Sequence, residues 1–329
     1  MNAYMSMLLG VICAGVGGEF FVKAVVSVAK KARIAPRIVA TTVAAFATSS
    51  PELSVSINSA LAGHPEIAFG NALGANVINI ALILAIALIV AGMNSPRESV
   101  RRDFPVAFMT PVLMGVLALD GELSRIDGLL MLGMFVTWLV VTLTEAHRMR
   151  RSTAKSEDAF HPWRMLGLSV TGLVLLFMSG NLIVDGASRI AESFGIEPFV
   201  VGATIVAIGT TMPELATTLI SLYRGHDEIG LGTILGSNIF NGLFIVSIAA
   251  IIHPIQAEFL DTMTALTFGA IVIGMAYPDK SGRLGRRRGI LLIGIYVVYL
   301  VTILQRGGQE EKAPVPAAAT PAAIGEPNR

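Results

Sequence analysis

The chain has 329 residues, 53% of them hydrophobic and 14% charged, with a mean hydropathy of +0.70. Ordinary globular domains are about 25% charged, so this composition excludes a soluble single-core protein, and a net charge of +1 excludes the basic field that nucleic acid requires. The lone cysteine, Cys13, excludes a disulfide framework and a cysteine-built metal site.

Apolar stretches, each able to cross a hydrocarbon layer of about 30 Å as a helix, follow one another along the chain. They predict ten spans, at 3–28, 37–62, 66–92, 104–120, 126–147, 163–192, 198–223, 229–252, 258–277 and 287–305. The expected fold is an all-α polytopic membrane protein. The first span opens on "YMSMLLGVICAGVGG", has no basic leader and runs into further apolar sequence, so it is expected to stay as a transmembrane helix rather than be cleaved as a signal. The second carries "TSSPEL" (48–53), which places hydroxyls, a proline and a carboxylate inside a hydrophobic span. The longest polar interior segment, "RMRRSTAKSEDAFHPWR" (148–164), is too short for a folded domain. Beyond Gln305 the chain is Ala/Pro-rich without an apolar period, and 306–329 is expected to be a disordered tail.

With ten spans, alternate loops share a side. Of the 24 lysines and arginines, 18 fall on one side, in loops holding Lys30, Arg101, Arg150, Arg224 and Arg288; five fall on the other, and Lys23 lies within the first span. Basic loops stay cytoplasmic. Both termini are therefore expected outside a cell (inner) membrane, with the 148–162 loop in the cytoplasm.

An internal repeat organises the chain. Shifted by 162 residues, "TSSPEL" falls on "TTMPEL" (210–215), and "LAGHPEIAFGNALGANVIN" (61–79) falls on "YRGHDEIGLGTILGSNIFN" (223–241). Between 39–79 and 201–241, 17 of 41 positions are identical. The predicted units are 1–147, with its repeated segment at about 39–83, and 163–305, with its segment at about 201–245. Each unit holds five spans. An odd number inserts the second unit upside down, and inverted repeats with interrupted helices are a feature of secondary transporters whose site lies near the bilayer midplane. Pro51 and Pro213 each remove a backbone donor, which is expected to free carbonyls around Ala45–Thr48 and Ala207–Thr210.

Thr48, Ser49 and Glu52 share a helix face at i, i+1 and i+4, and Thr210, Thr211 and Glu214 repeat them. In the next span Ala75, Asn76 and Asn79 are matched by Ser237, Asn238 and Asn241. Brought together about a pseudo-twofold axis, these residues offer carboxylates, hydroxyls, amides and carbonyls. Such an all-oxygen set suits a hard cation such as Ca²⁺, which takes about six to eight oxygens. The set contains no histidine or cysteine, which argues against zinc and copper. Two carboxylates inside a membrane are costly and mark a functional site.

The two segments resemble the paired repeats of the cation/calcium exchanger superfamily, in its sodium/calcium exchanger branch, whose usual forms are "G-T-S-x-P-E" and "G-N-x-x-G-S-N". The resemblance implies Ca²⁺ held by Glu52 and Glu214 with the carbonyls of Thr48 and Thr210. It implies flanking Na⁺ sites at the carbonyls of Ala45 and Ala207 and at Ser49, Thr211, Ser237, Asn79 and Asn241. It also implies alternating access, with the first and sixth spans sliding against the rest. Ala47 and Ala75 depart from the pattern, standing where glycine and serine are usual, and Ala75 removes one expected Na⁺ hydroxyl. Asn241 stands where potassium-dependent relatives carry Asp. Two coupling ions stay open: Na⁺, favoured by the hydroxyl-rich segments, and H⁺, which would make a Ca²⁺/H⁺ antiporter on the same fold. No cofactor and no obligate protein partner is expected, only the ions and the bilayer. An intramembrane hydrolase is disfavoured because no nucleophile has a paired base, and a passive channel because inverted, broken helices suit alternating access better.

Other polar residues read more plainly. Glu19 and Lys23, at i and i+4, are expected to pair at a helix end. His64 and His226 lie in loops, Glu66 and Glu228 are expected to cap the helices that follow, and the basic 280–288 run is a topology determinant that can meet anionic lipid.

Overall fold

A computed structural model describes residues 2–150, 162–193, 207–257, 259–279 and 281–310. The first span is helix α1 (Ala3–Ala32), capped by the Asn2 side chain and ended by Arg33 in the left-handed region at φ 56°. The second span is in pieces: α2 (Pro36–Val39), a π-helical turn (Ala40–Ala44), α3 (Ala45–Thr48) and α4 (Ser50–Leu61). The third is α5 (Pro65–Ile78), a π-helical turn (Asn79–Leu84) and α6 (Ala85–Val90). A short α7 (Arg97–Arg101) leads into the fourth span, α8 (Asp103–Leu117), and the fifth is α9 (Arg125–Arg150).

The second half follows the same plan. The sixth span is α10 (Pro162–Ser193); the seventh, described from Ala207, is α11 (Ala207–Thr210) and α12 (Met212–Tyr223). The eighth is α13 (Asp227–Ile239), a π-helical turn (Phe240–Ile245) and α14 (Val246–Ile252); α15 (Phe259–Met275) and α16 (Arg286–Glu310) complete ten. Among the described residues, six helical stretches are long and apolar enough to cross a membrane. Among the described residues the second and seventh spans are not of this set: the second is cut at Ser49 and the described part of the seventh at Thr211.

Two-stranded ribbons tie the halves together at both ends. Met93–Asn94 pairs antiparallel with Arg283–Leu284, and Glu122–Leu123 pairs with Ile255–Gln256. The first joins the loop after the third span to the loop after the ninth; the second joins the loop after the fourth to the loop after the eighth. These pairings need those loops on common faces, as the ten-span count requires. Met93 and Asn94 also lie 162 residues before Ile255 and Gln256, so the repeat reaches beyond its polar motifs.

Two apolar clusters divide the interior. The larger runs through α5, α8, α13, α14, α15 and α16 around Ile80, Leu84, Phe104, Leu235 and Leu243. The smaller joins α1 and α10 to the broken spans through Phe21, Val25, Ala40, Ala44, Leu176 and Ala216. Within it α1 and α10 lie in direct backbone contact: a Cβ on Gly17 would meet the Gly172 oxygen at 2.9 Å, and one on Gly186 would meet the Ala3 oxygen at 2.6 Å. Small residues allow such close approach where lipid supplies no hydrophobic drive between helices.

Two boundaries differ from the sequence reading. Helix α9 continues to Arg150, taking three residues from the expected 148–162 loop, and α16 continues to Glu310, five residues into the expected disordered tail. Neither stretch contains a proline, and a formed helix adds residues without a new nucleation cost. The remainder of the tail and of the loop, and the expected start of the seventh span at 198–206, lie outside the described residues.

Candidate ion-binding site

Both broken spans kink at the same place. Ser49 (φ −86°, ψ 13°) and Thr211 (φ −89°, ψ 7°) leave helical geometry, and each is followed by a helix with proline in its first turn, Pro51 in α4 and Pro213 in α12. Glu52 and Glu214 stand in those first turns, where the helix dipole favours a negative charge. Both are buried, at 0% and 1% exposure, and they lie close enough to interact through their charges.

The two halves interlock around them. The Ser49 hydroxyl, from the first half, donates to Glu214 Oε1 at 3.1 Å, and Ser237 donates to the same oxygen at 3.2 Å. The Thr48 hydroxyl instead donates to the Ala44 backbone oxygen at 3.1 Å. Asn76 Nδ2 donates to the Asn238 backbone oxygen at 3.1 Å, Asn238 Nδ2 returns a 3.1 Å bond to the Asn76 oxygen, and Asn79 Nδ2 donates to Asn238 Oδ1 at 3.0 Å. Beside this lie buried oxygens with no partner among the described residues: both of Glu52, Oε2 of Glu214, and the amide oxygens of Asn76, Asn79 and Asn241. Unpaired buried acceptors in such number are costly, and each is an unused ligand for a cation.

The expected site residues therefore separate. Ser49, Glu52, Glu214, Ser237, Asn79 and Asn241 all face buried polar surroundings, and Thr211 is buried at 1% exposure. Thr210 instead lines a cavity of about 510 Å³ together with Ser50, Pro51, Ser54, Gly209 and Asp185. Two expectations are corrected. The Ala45 carbonyl is not freed by Pro51: it accepts from the Ser49 amide at 2.9 Å and the Thr48 hydroxyl at 3.3 Å, because the kink falls after the residue that completes this turn. Glu66 and Glu228 do stand in first turns, but no side chain caps either helix; Glu66 bonds the ring of His64 at 3.2 Å instead. Ala207 is placed in α11, and nothing is described of its side chain.

Asp185, which lines this cavity, accepts from the Ser6 hydroxyl at 3.0 Å. Farther along α1 lies a cluster of charged side chains. There Glu19 pairs with Lys23 at 2.7 Å, as expected, and also with the Arg224 guanidinium. A Cβ on Gly18 would lie 2.9 Å from Ile220, so α1 rests directly on α12.

Sequence reasoning missed two features. One is the Asn76–Asn238 pair, visible in the sequence only as equivalent positions. The other is a charged network at the basic end: Arg37, 6% exposed, bonds Glu145 at 2.7 Å, Glu145 bonds Arg102 at 2.5 Å, and Arg102 grips Asp103, which also accepts from Trp138 Nε1 at 3.3 Å. Its signal was a lone acid at the ends of two apolar spans, facing arginines that were read only as topology charges.

Comparison with known proteins agrees with this geometry. The profile of the sodium/calcium exchanger protein family matches residues 2–144 and 165–305. The putative antiporter CaxA of Alkalimonas amylolytica is 32% identical over 310 residues, covering 90% of this chain and 97% of that one. Sodium/calcium exchanger MaX1 of Methanosarcina acetivorans is 25% identical over 342 residues, covering 91% and 98%. The solved sodium/calcium exchanger from Methanococcus jannaschii superposes with a TM-score of 0.76 at 26% identity, covering 91% of this chain and 97% of that structure. Ten helices in two inverted repeats, closing buried carboxylates at their shared centre, make this chain a multi-pass membrane antiporter that belongs to the sodium/calcium exchanger protein family.

Proposed function

We propose that the protein exchanges Na⁺ for Ca²⁺ across the membrane by alternating access, with Glu52 and Glu214 as the shared carboxylates. The observation that carries this reading is the convergence of two buried carboxylates from opposite halves, beside a cluster of unpaired oxygens and the hydroxyls of Ser49 and Ser237. Ca²⁺ is the cargo that matches two negative charges and an all-oxygen set. Ser49, Thr211, Ser237, Asn79 and Asn241 supply the neutral oxygens that suit Na⁺, and the carbonyls of Thr48, Thr210 and Ala207 complete the proposed set. The Ala45 carbonyl enters it only if the bonds from Ser49 and Thr48 loosen.

The cavity beside Asp185 and the Glu19–Arg224 ion pair support the mechanism, the first as its open end and the second as its closed end. Sliding the α1/α10 pair along its glycine contacts would close the Asp185 end and open the Glu19 end, presenting the same oxygens to the other side. Loop charges support an extracellular Asp185 end, outward termini and a cytoplasmic 148–162 loop in an inner cell membrane. The solved relative soaked with Na⁺ and Ca²⁺ is described as undergoing extracellular ion exchange and binding-site occlusion, in keeping with an outward-open arrangement here.

The decisive experiment is ⁴⁵Ca²⁺ uptake into proteoliposomes loaded with Na⁺. Uptake should appear with an outward Na⁺ gradient and vanish when K⁺ replaces Na⁺ on both sides. Uptake driven by a pH gradient and indifferent to Na⁺ would instead assign a Ca²⁺/H⁺ antiporter.

A further inference from the structure

We infer that Asn238 is a positioning residue for Na⁺, acting through Asn79, in a clasp with Asn76 at the pseudo-twofold axis. Asn238 is 1% exposed and its side-chain amide is fully engaged across the two halves: Nδ2 donates to the Asn76 oxygen at 3.1 Å and Oδ1 accepts from Asn79 Nδ2 at 3.0 Å. An amide has one donor end and one acceptor end. Holding Asn79 by its nitrogen therefore leaves its oxygen, Oδ1, as the outward group, and that buried oxygen has no partner among the described residues. Asn238 thus sets both which way the Asn79 amide faces and where its ligand oxygen lies.

The arrangement is one-sided, which argues against simple helix packing. Asn76, the mate of Asn238 under the 162-residue shift, makes the matching backbone bond at 3.1 Å. Its Oδ1, however, has no partner among the described residues, so it does not receive Asn241 as Asn238 receives Asn79. Among the described residues, only the first-half amide is tethered. The backbone clasp is shared by both asparagines and fixes α5 against α13. The tether on Asn79 is the added role of Asn238.

The inference rests on the Na⁺/Ca²⁺ reading, and the test separates the two. Full-length protein in proteoliposomes is assayed for ⁴⁵Ca²⁺/Ca²⁺ self-exchange, which requires no Na⁺ gradient, and then for inhibition by added Na⁺. Asn238→Ala should raise the Na⁺ concentration for half-inhibition by about tenfold, the size of one lost hydrogen bond that aims a ligand. Half-saturation by Ca²⁺ should move less than about twofold on the same scale. Asn79→Ala should do the same, and the double variant should be no worse than either alone, because both remove one ligand oxygen. If Asn238→Ala does not fold, Asn238→Ser, too short to reach Asn79, takes its place with the same expectation. Equal losses for Na⁺ and Ca²⁺, or effects of Asn79→Ala and Asn238→Ala that multiply, would overturn the positioning role. Wild-type self-exchange that Na⁺ does not inhibit would overturn the Na⁺ reading itself, and the inference with it.

Discussion

Glu52 and Glu214 occupy equivalent positions in two copies of one motif, yet their surroundings differ. Glu214 receives hydroxyls from Ser49 and Ser237 on one oxygen and keeps the other unpaired; both oxygens of Glu52 are unpaired among the described residues. The cause is legible in part. Ser237 has no hydroxyl counterpart in the first half, because Ala75 stands there. The ends of the molecule differ in the same way. Glu19 meets Arg224 at the closed end, while their counterparts under the 162-residue shift, Asn181 and Ala62, cannot form an ion pair. Inverted repeats supply a twofold frame, and small departures from it decide which oxygens are held and which end stays shut.

The strongest way to break the comparison is to neutralise each carboxylate in turn. Glu52→Gln and Glu214→Gln should both reduce ⁴⁵Ca²⁺ uptake to background, because either removes half the charge opposed to Ca²⁺; near-normal flux in one would show that the two halves are not partners. Gly236→Ala probes the contact between halves. Its Cβ would lie 2.2 Å from the Thr41 oxygen and 2.7 Å from Ala45 Cβ, so the variant should lose about 1–3 kcal/mol of stability, read as a lower melting temperature. A variant as stable as wild type would mean that α13 can move away from α3 without cost.

Ala75→Ser restores the symmetry directly. A hydroxyl there should reach Glu52 as Ser237 reaches Glu214, and the Na⁺ concentration for half-maximal exchange should fall by about fivefold, the worth of about one net hydrogen bond. No change in Na⁺ dependence would show that the first half lacks more than a hydroxyl. The smallest effect belongs to the closed end. Ser54 lines the open cavity, whereas its counterpart Ala216 is 7% exposed. On a Cys13→Ala background, a thiol at Ser54→Cys should label quickly and one at Ala216→Cys slowly. Adding Arg224→Ala should speed the second by at most about fivefold, since partly exposed ion pairs contribute about 0–1 kcal/mol. An unchanged rate would assign closure to the Gly18–Ile220 contact alone.

Much of the site was legible because its chemistry is out of place. A carboxylate, hydroxyls and a proline in an apolar span carry a signal that an ordinary soluble core would hide, and the 162-residue repeat doubled it. The Ala45 carbonyl was misread because sequence places a proline but not the residue at which the helix kinks; Ser49 absorbs the kink, and its own amide still closes the turn on Ala45. The Arg37–Glu145–Arg102 network was not legible because its members are distant in sequence. The end of α16 was placed too early because polarity marks where lipid ends, not where a helix ends.

By itself the sequence determined the number of spans, their alternation, the inversion of the halves and the residue types at their centre. Those follow from bilayer thickness, loop charge and an odd repeat, all properties of local composition. Only the tertiary structure decided which oxygen of Glu214 is bonded, that Asn238 holds Asn79, and that Asp185 lines a cavity while Glu19 pairs with Arg224. These depend on which of two equivalent groups reaches its partner first across an imperfect twofold axis, and a one-dimensional pattern carries no information about that distance.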